Sequence, residues 1–253
     1  MALLRRFILT LLVVVAHAHA ETASPVQAEP EATAAVFAVP DVWPWGYQDE
    51  QGAMQGSLIE LIDRLSELSG VPIRAQLLPL RRVILDVLRG RAEFAFLFQS
   101  PDLDENAIPI DTVLQLNLML MAMADTDYPL TLESLAGDRV GYARGTYLGE
   151  SFEADEAVIK VPVYNIPQAV EMLTLGRISA VLASDHNLSM TLEAYGFARE
   201  SFRWQEHVRG QMARLYMSRY SGSEDHARRF REVLQQMRDN GELQRIFQTT
   251  SPQ

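Results

Sequence analysis

The strongest constraint on the fold of this chain is a rhythm in its apolar residues. Strand-length apolar runs alternate with stretches whose apolar positions recur every three or four residues: Val36-Phe37-Ala38-Val39, a helical pattern from Leu58, Ile73–Leu78, a helical pattern from Leu80, then Phe94–Phe98. Strands separated by a helix cannot be joined as tight hairpins, so they pair in parallel while the helices cover the sheet's faces. The same grammar returns after a transition near Leu114 to Ala122. Val140–Ala143 and Val158–Val163 read as strands, Pro167–Leu175 as a helix with proline in its first turn and Gly176 as its stop, and Ile178–Ala183 as another strand. A last strand, Ala213–Ser218, leads to a helix opened by Ser223 that carries Ala227, Phe230, Val233, Leu234 and Met237, followed by Gly241 and a short amphipathic end. The expected fold class is α/β, with two modules that are each a mostly parallel sheet flanked by helices.

Local chemistry supports the helical segments. In Ser57-Leu58-Ile59-Glu60 the Ser and Glu stand three apart, the spacing of a capping box that satisfies two of a helix's orphan amides. Leu58, Leu61, Ile62, Leu65 and Leu68 then form one stripe, and Gly70 stands where a left-handed cap is needed. The next helix places Leu80, Val83, Ile84, Val87 and Leu88 on one face and stops at Gly90.

The chain opens differently. Arg5 and Arg6 precede an apolar run, Phe7 to Ala16, that closes on Ala16-His17-Ala18-His19-Ala20. Residues 1–20 therefore read as a secretory signal peptide cleaved near Ala20, since the run is shorter than the roughly 20 apolar residues a membrane span needs. Residues 21–35 are small and polar, and are expected to be a disordered leader. With 22 Lys plus Arg against 33 Asp plus Glu the net charge is -11, and loss of the two leader arginines would take it to -13. Such acidity opposes binding to nucleic acid or anionic lipid, both of which draw on clustered cations. The chain has no cysteine, so neither disulfides nor a lipidated cysteine is expected, and a free periplasmic protein is the expected location.

The order of residues from 36 to 250 resembles the extracellular solute-binding proteins of family 3, the periplasmic receptors of polar amino-acid ABC transporters. The likeness runs through Val42-Trp43-Pro44-Trp45-Gly46-Tyr47-Gln48-Asp49-Glu50-Gln51-Gly52, then Leu80-Arg81-Arg82 to Gly90-Arg91-Ala92-Glu93-Phe94, and Leu135-Ala136-Gly137-Asp138-Arg139-Val140-Gly141. It continues in Arg144-Gly145-Thr146, in Ala169 to Val181, and in Asn240-Gly241-Glu242-Leu243 to Phe247. The resemblance implies a type II periplasmic-binding-protein-like fold of two lobes joined by two hinge crossings. Lobe one would be 36–116 plus 213–253 and lobe two 117–212, with ligand in the cleft between them. It also implies a monomer, a small-molecule ligand and an ABC permease in the inner membrane as partners.

Trp43, Trp45 and Tyr47 follow the first strand, at the carboxyl end of a parallel sheet where α/β folds place ligands. They offer an aromatic wall, or else a turn packed on its own lobe. Arg144, Gly145 and Thr146 follow a strand and precede an expected helix, so that backbone amides and the Thr hydroxyl would accept a carboxylate at its start, as the family uses this loop. Ser184 and Asp185 end a strand where the family presents an Asp to the ligand's amino group; counting from Gly176-Arg177 favours Ser184 at that place, and helix capping is the alternative for both. In Phe98-Gln99-Ser100-Pro101-Asp102, Gln99 and Ser100 occupy the stretch where the family carries Thr and then an Arg that forks onto a carboxylate, yet no Arg is present. Either Arg82 or Arg144 supplies that charge, or the ligand is not an ordinary α-amino acid. Isolated His186, His207 and His226 give no metal-ligand spacing, and no cofactor is expected. The expected function is capture of a small polar solute, an amino acid or relative, for an ABC importer, without catalysis. A cyclohexadienyl-dehydratase-like enzyme and an orphan or sensory binding protein are the alternatives.

Overall fold

The computed structural model describes residues 34–248, so the expected signal peptide and residues 21–33 of the expected leader lie outside the described residues. The sheet begins at Ala35, one residue inside the stretch read as leader, because Ala35 is buried and pairs with Ile73.

In chain order the first elements are β1 (Ala35–Pro40), β2 (Tyr47–Gln48), β3 (Met54–Gln55), α1 (Ser57–Ser69), β4 (Ile73–Leu78), α2 (Leu80–Leu88), β5 (Phe94–Phe98), α3 (Pro101–Asn106) and β6 (Ala107–Met123). There follow β7 (Arg139–Ala143), α4 (Glu150–Ala154), β8 (Ile159–Val163), α5 (Ile166–Thr174), β9 (Ala180–Ser184), α6 (Asp185–Ala194), β10 (Phe202–Ser218), α7 (Glu224–Asp239) and α8 (Glu242–Gln248). Eight strands form one mixed sheet in the order β4-β1-β5-β10-β6-β9-β7-β8. β1 is parallel to β4 and β5, and β7 is parallel to β8 and β9, as strand-helix-strand connections require. Between these two parallel triplets runs an antiparallel ribbon of β6 and β10.

Each ribbon strand has 17 residues, roughly 55 Å at the usual rise of a strand, enough to serve both triplets. The end of β10 pairs with β5 and the end of β6 with β9. Register shifts between Glu206 and Val208, and between Val208 and Gln211, bend the ribbon midway.

The first triplet is packed by Phe37, Phe94 and Phe230, whose rings lie 5.1 to 5.4 Å apart, so α7 returns near the end of the chain to cover strands formed at its start. The second triplet is covered by α5 and α6, whose Val170, Leu173 and Leu188 share a buried cluster with Val181 of β9.

The start of α1 departs from the capping-box expectation. Its cap is Gly56, at φ 116, and Ser57 lies inside the first turn with its buried hydroxyl unpartnered. The orphan amides of Ser57 and Leu58 donate instead to the carbonyls of Pro44 and Trp45, at 3.4 and 2.8 Å. Only glycine fits at 56, since a Cβ there would stand 2.5 Å from the Trp45 oxygen. The Trp43-Pro44-Trp45 turn, whose Trp43–Pro44 peptide is cis, is thereby fastened to α1.

Candidate functional site

The carboxyl ends of the two triplets face a common cavity of about 90 Å³. The turn after β1 contributes Trp45, the loop after β5 contributes Ser100, the loop after β7 contributes Gly145, Thr146 and Tyr147, and the first turn of α6 contributes Asn187. The rest of the wall is hydrocarbon, from Leu58, Phe96, Phe98, Leu114 and Phe247 among others. A second chamber of about 240 Å³ shares Ser100 and Tyr147 with it and is lined by Gln99, Asp104, Gln211 and Met212.

Among the aromatic candidates Trp45 lines the cavity. It is 9% exposed and lies against Phe247 at 5.9 Å on one side and the His186 ring at 4.6 Å on the other. Trp43 meets Tyr195 edge-on at 6.3 Å instead, and Tyr47 pairs with Gln55 in the β2/β3 hairpin. Tyr164 donates its hydroxyl to Asp41 Oδ2 at 3.2 Å, and the charge of Asp41 raises the phenol's pKa. These contacts join the turn after β1 to elements around the second triplet.

The helix expected after Arg144-Gly145-Thr146 is present as α4 but does not start at this triplet. Positive φ values at Gly145 and Gly149 prolong the turn, and α4 starts only at Glu150. The amides of Arg144 and Thr146 are committed to the carbonyls of Val163 and Ala143, at 3.0 and 3.2 Å, and Arg144 is exposed. Arg82 is exposed too, and its guanidinium holds Asp86 at 2.9 Å, as Arg91 does at 2.7 Å. Burial would raise the Asp86 carboxyl, but hydrogen bonds from these two arginines outweigh it and hold the pKa low.

Ser184 is 2% exposed and caps α6, accepting the Asn187 amide at 3.2 Å. Asp185 accepts the Asn117 amide of β6 at 3.2 Å and the His186 amide at 2.8 Å, so its carboxylate fastens α6 to the ribbon. Neither lines the cavity; Asn187, absent from the expected set, does. Asn187 is 7% exposed and its carboxamide oxygen has no hydrogen-bond partner among the described residues. Nor has the buried His186 Nε2, and burial lowers the His186 pKa against a smaller opposing pull from Asp185. Leaving a buried polar atom unpaired costs about 1–3 kcal/mol.

Ser100 caps α3 through Leu103, and Gln99 faces the second chamber, donating to Asp104 at 2.6 Å. Asp104 also accepts from the Tyr216 hydroxyl at 2.7 Å and from Arg214 at 3.3 Å. Desolvation and this carboxylate push the Tyr216 phenol strongly upward. No Asp, Glu, His, Lys or Arg among the described residues lines the main cavity. Among the described residues no group of three or more His, Asp or Glu is placed to hold a metal ion, and no helix is long and apolar enough to cross a membrane.

No protein-family model matches the chain, and no curated protein matches it in sequence. Solved structures are similar in fold. An ancestral arginine-binding protein bound to arginine superposes with a TM-score of 0.73 at 17% identity, over 87% of this chain and 99% of its own. An amino acid ABC transporter substrate-binding protein from Streptococcus pneumoniae, bound to L-arginine, gives 0.72 at 17% identity over 87% and 96%. A histidine kinase sensor domain with similarity to periplasmic binding proteins gives 0.71 at 18% over 85% and 94%. These neighbours are an arginine-binding protein, a transporter's amino-acid-binding protein and a sensor domain, and the likeness at these identities is one of architecture: this chain has the α/β fold of the periplasmic binding proteins.

Proposed function

We propose that this chain is a non-catalytic periplasmic receptor, exported through residues 1–20, that captures a small solute and presents it to an ABC importer of the inner membrane. In this reading 36–116 plus 213–253 and 117–212 are two lobes of a monomer, and the β6/β10 ribbon supplies the two hinge crossings. One observation carries the proposal: the cavity is walled jointly by loops from the carboxyl ends of both parallel triplets, with the buried Asn187 among the residues that line it. A solute held there touches both sides only when they are together, so it binds the closed form better and shifts the population toward it. A permease would read the closed surface.

The likeness to a histidine kinase sensor domain favours a second reading, in which the closed form is read by a signalling partner. A dehydratase-like enzyme would need an acid or base facing the solute, and the cavity lining lacks a carboxylate or imidazole for that role. The test is to purify the protein under native conditions, unfold it, identify any released small molecule by mass spectrometry, and refold and titrate the protein with that molecule. Rebinding of an unaltered solute, with compaction in solution scattering, supports a receptor. Conversion of the solute would make it an enzyme, and absence of any bound or rebinding solute would sink the proposal.

A further inference from the structure

We infer that the solute taken by this cavity is uncharged, with an apolar body and at least one hydrogen-bond donor, rather than a zwitterion or an ion; the inference rests on the receptor reading above. Its basis is the chemistry of the wall. Trp45, Phe96, Phe98 and Phe247 offer ring surface, and the polar side chains among them, Ser100, Thr146, Tyr147 and Asn187, are all neutral. An ammonium or carboxylate placed here would lose its water without meeting an opposite charge, which costs orders of magnitude in affinity.

The charges nearby are already committed. Asp185 is held by two backbone amides, Asp41 accepts the Tyr164 hydroxyl, and Arg82 is paired with Asp86. Asp104, in the adjoining chamber, receives donors from Gln99, Tyr216 and Arg214. Arg81 and Arg144 are exposed and stand outside the lining. What the described residues leave unsatisfied here is an acceptor, the carboxamide oxygen of Asn187, a residue that lines the cavity and is more than nine-tenths buried. A neutral N–H or O–H meets that need, and the hydrocarbon wall takes the remainder of the molecule.

The inference is tested with three probes of one size and shape: benzamide, benzoate and benzylammonium. Ligand-free refolded protein is titrated with each, reading tryptophan fluorescence and melting temperature. Benzamide is expected to bind, and the two ions to bind at least about thirtyfold more weakly. Asn187→Leu should weaken benzamide about tenfold without lowering the melting temperature of the ligand-free protein, since the lost oxygen had no protein partner. Asn187→Asp should reverse the order in favour of benzylammonium, and it keeps the site testable if the leucine variant fails to fold. Binding of either ion as tightly as benzamide to the unaltered protein overturns the inference, as does failure of all three probes to bind. The receptor reading is judged separately by the solute released on unfolding. A released amino acid or other ion would overturn the inference and leave the receptor standing, whereas no released solute and no probe binding would remove both.

Discussion

His186 gives the closed arrangement a pH dependence that can be worked out in sign and size. Its ring lies 4.6 Å from that of Trp45, its Nε2 is buried without a partner, and desolvation lowers its pKa below 6.5, with Asp185 offsetting part of the shift. Because the unfolded chain holds the proton more tightly than the folded one, stability from this residue is complete above pH 6.5 and is lost as pH falls from there through the lowered value. One titrating group changes stability by at most about 1.4 kcal/mol per pH unit. That ceiling is worth roughly 4 °C per pH unit in melting temperature for a domain of this length, and the slope from His186 is expected to fall below it. Thermal unfolding of the unaltered protein and of His186→Phe, measured from pH 7.5 to 5.0, isolates the effect. Phenylalanine keeps a ring against Trp45 but cannot take up a proton. His207, whose pKa is also lowered by burial, contributes equally to both proteins and cancels in the difference. Identical pH slopes for the two proteins would refute the reasoning.

Other substitutions test other parts of the structure. Phe230→Ala removes a fully buried ring that touches Phe37 and Phe94 and should cost about 3–5 kcal/mol, visible by denaturant titration; a loss below about 1 kcal/mol would contradict that packing. Asp185→Ala frees the Asn117 and His186 amides and should destabilise by about 1–3 kcal/mol, while calorimetry should find solute affinity within about threefold; a hundredfold loss of affinity would place the carboxylate on the ligand instead. Tyr164→Phe deletes the hydroxyl given to Asp41 on a side chain that is 73% exposed, so the ligand-free protein should lose less than about 1 kcal/mol, and a melting temperature lower by 10 °C would show that this contact had been underestimated.

The parallel triplets were legible in the sequence because their strands are short, apolar and spaced by helices with plain periodicity. The ribbon was not. Glu206, Arg209 and Gly210 interrupt β10, and Asp111, Gln115 and Asn117 interrupt β6, so within β10 only Ala213–Ser218 read as strand. These polar residues are tolerated where register shifts and exposure spare them burial. The start of α1 misled for another reason: Ser57 and Glu60 have capping spacing, but Pro44 and Trp45 supply the acceptors from a turn that a local pattern cannot see. At α6 the limit is geometric. Consecutive helical residues point about 100° apart, so which of Asp185, His186 and Asn187 meets the cavity depends on how the helix is set on its sheet. The signal for Asn187 was its place in the first turn after β9, where a carboxamide adds nothing to the cap already provided by Ser184.

The return of the ribbon to the first triplet has a consequence for synthesis. β1, β4 and β5 emerge early, yet their pairing with β10 and the ring of Phe230 that seals them are encoded more than a hundred residues later. The second triplet, by contrast, has its strands and covering helices together in one continuous stretch. A growing chain must therefore finish its middle before its beginning, and for much of its elongation it carries a half-made apolar surface around Phe37 and Phe94 that a chaperone, or the still-unfolded state itself, has to keep from sticking elsewhere.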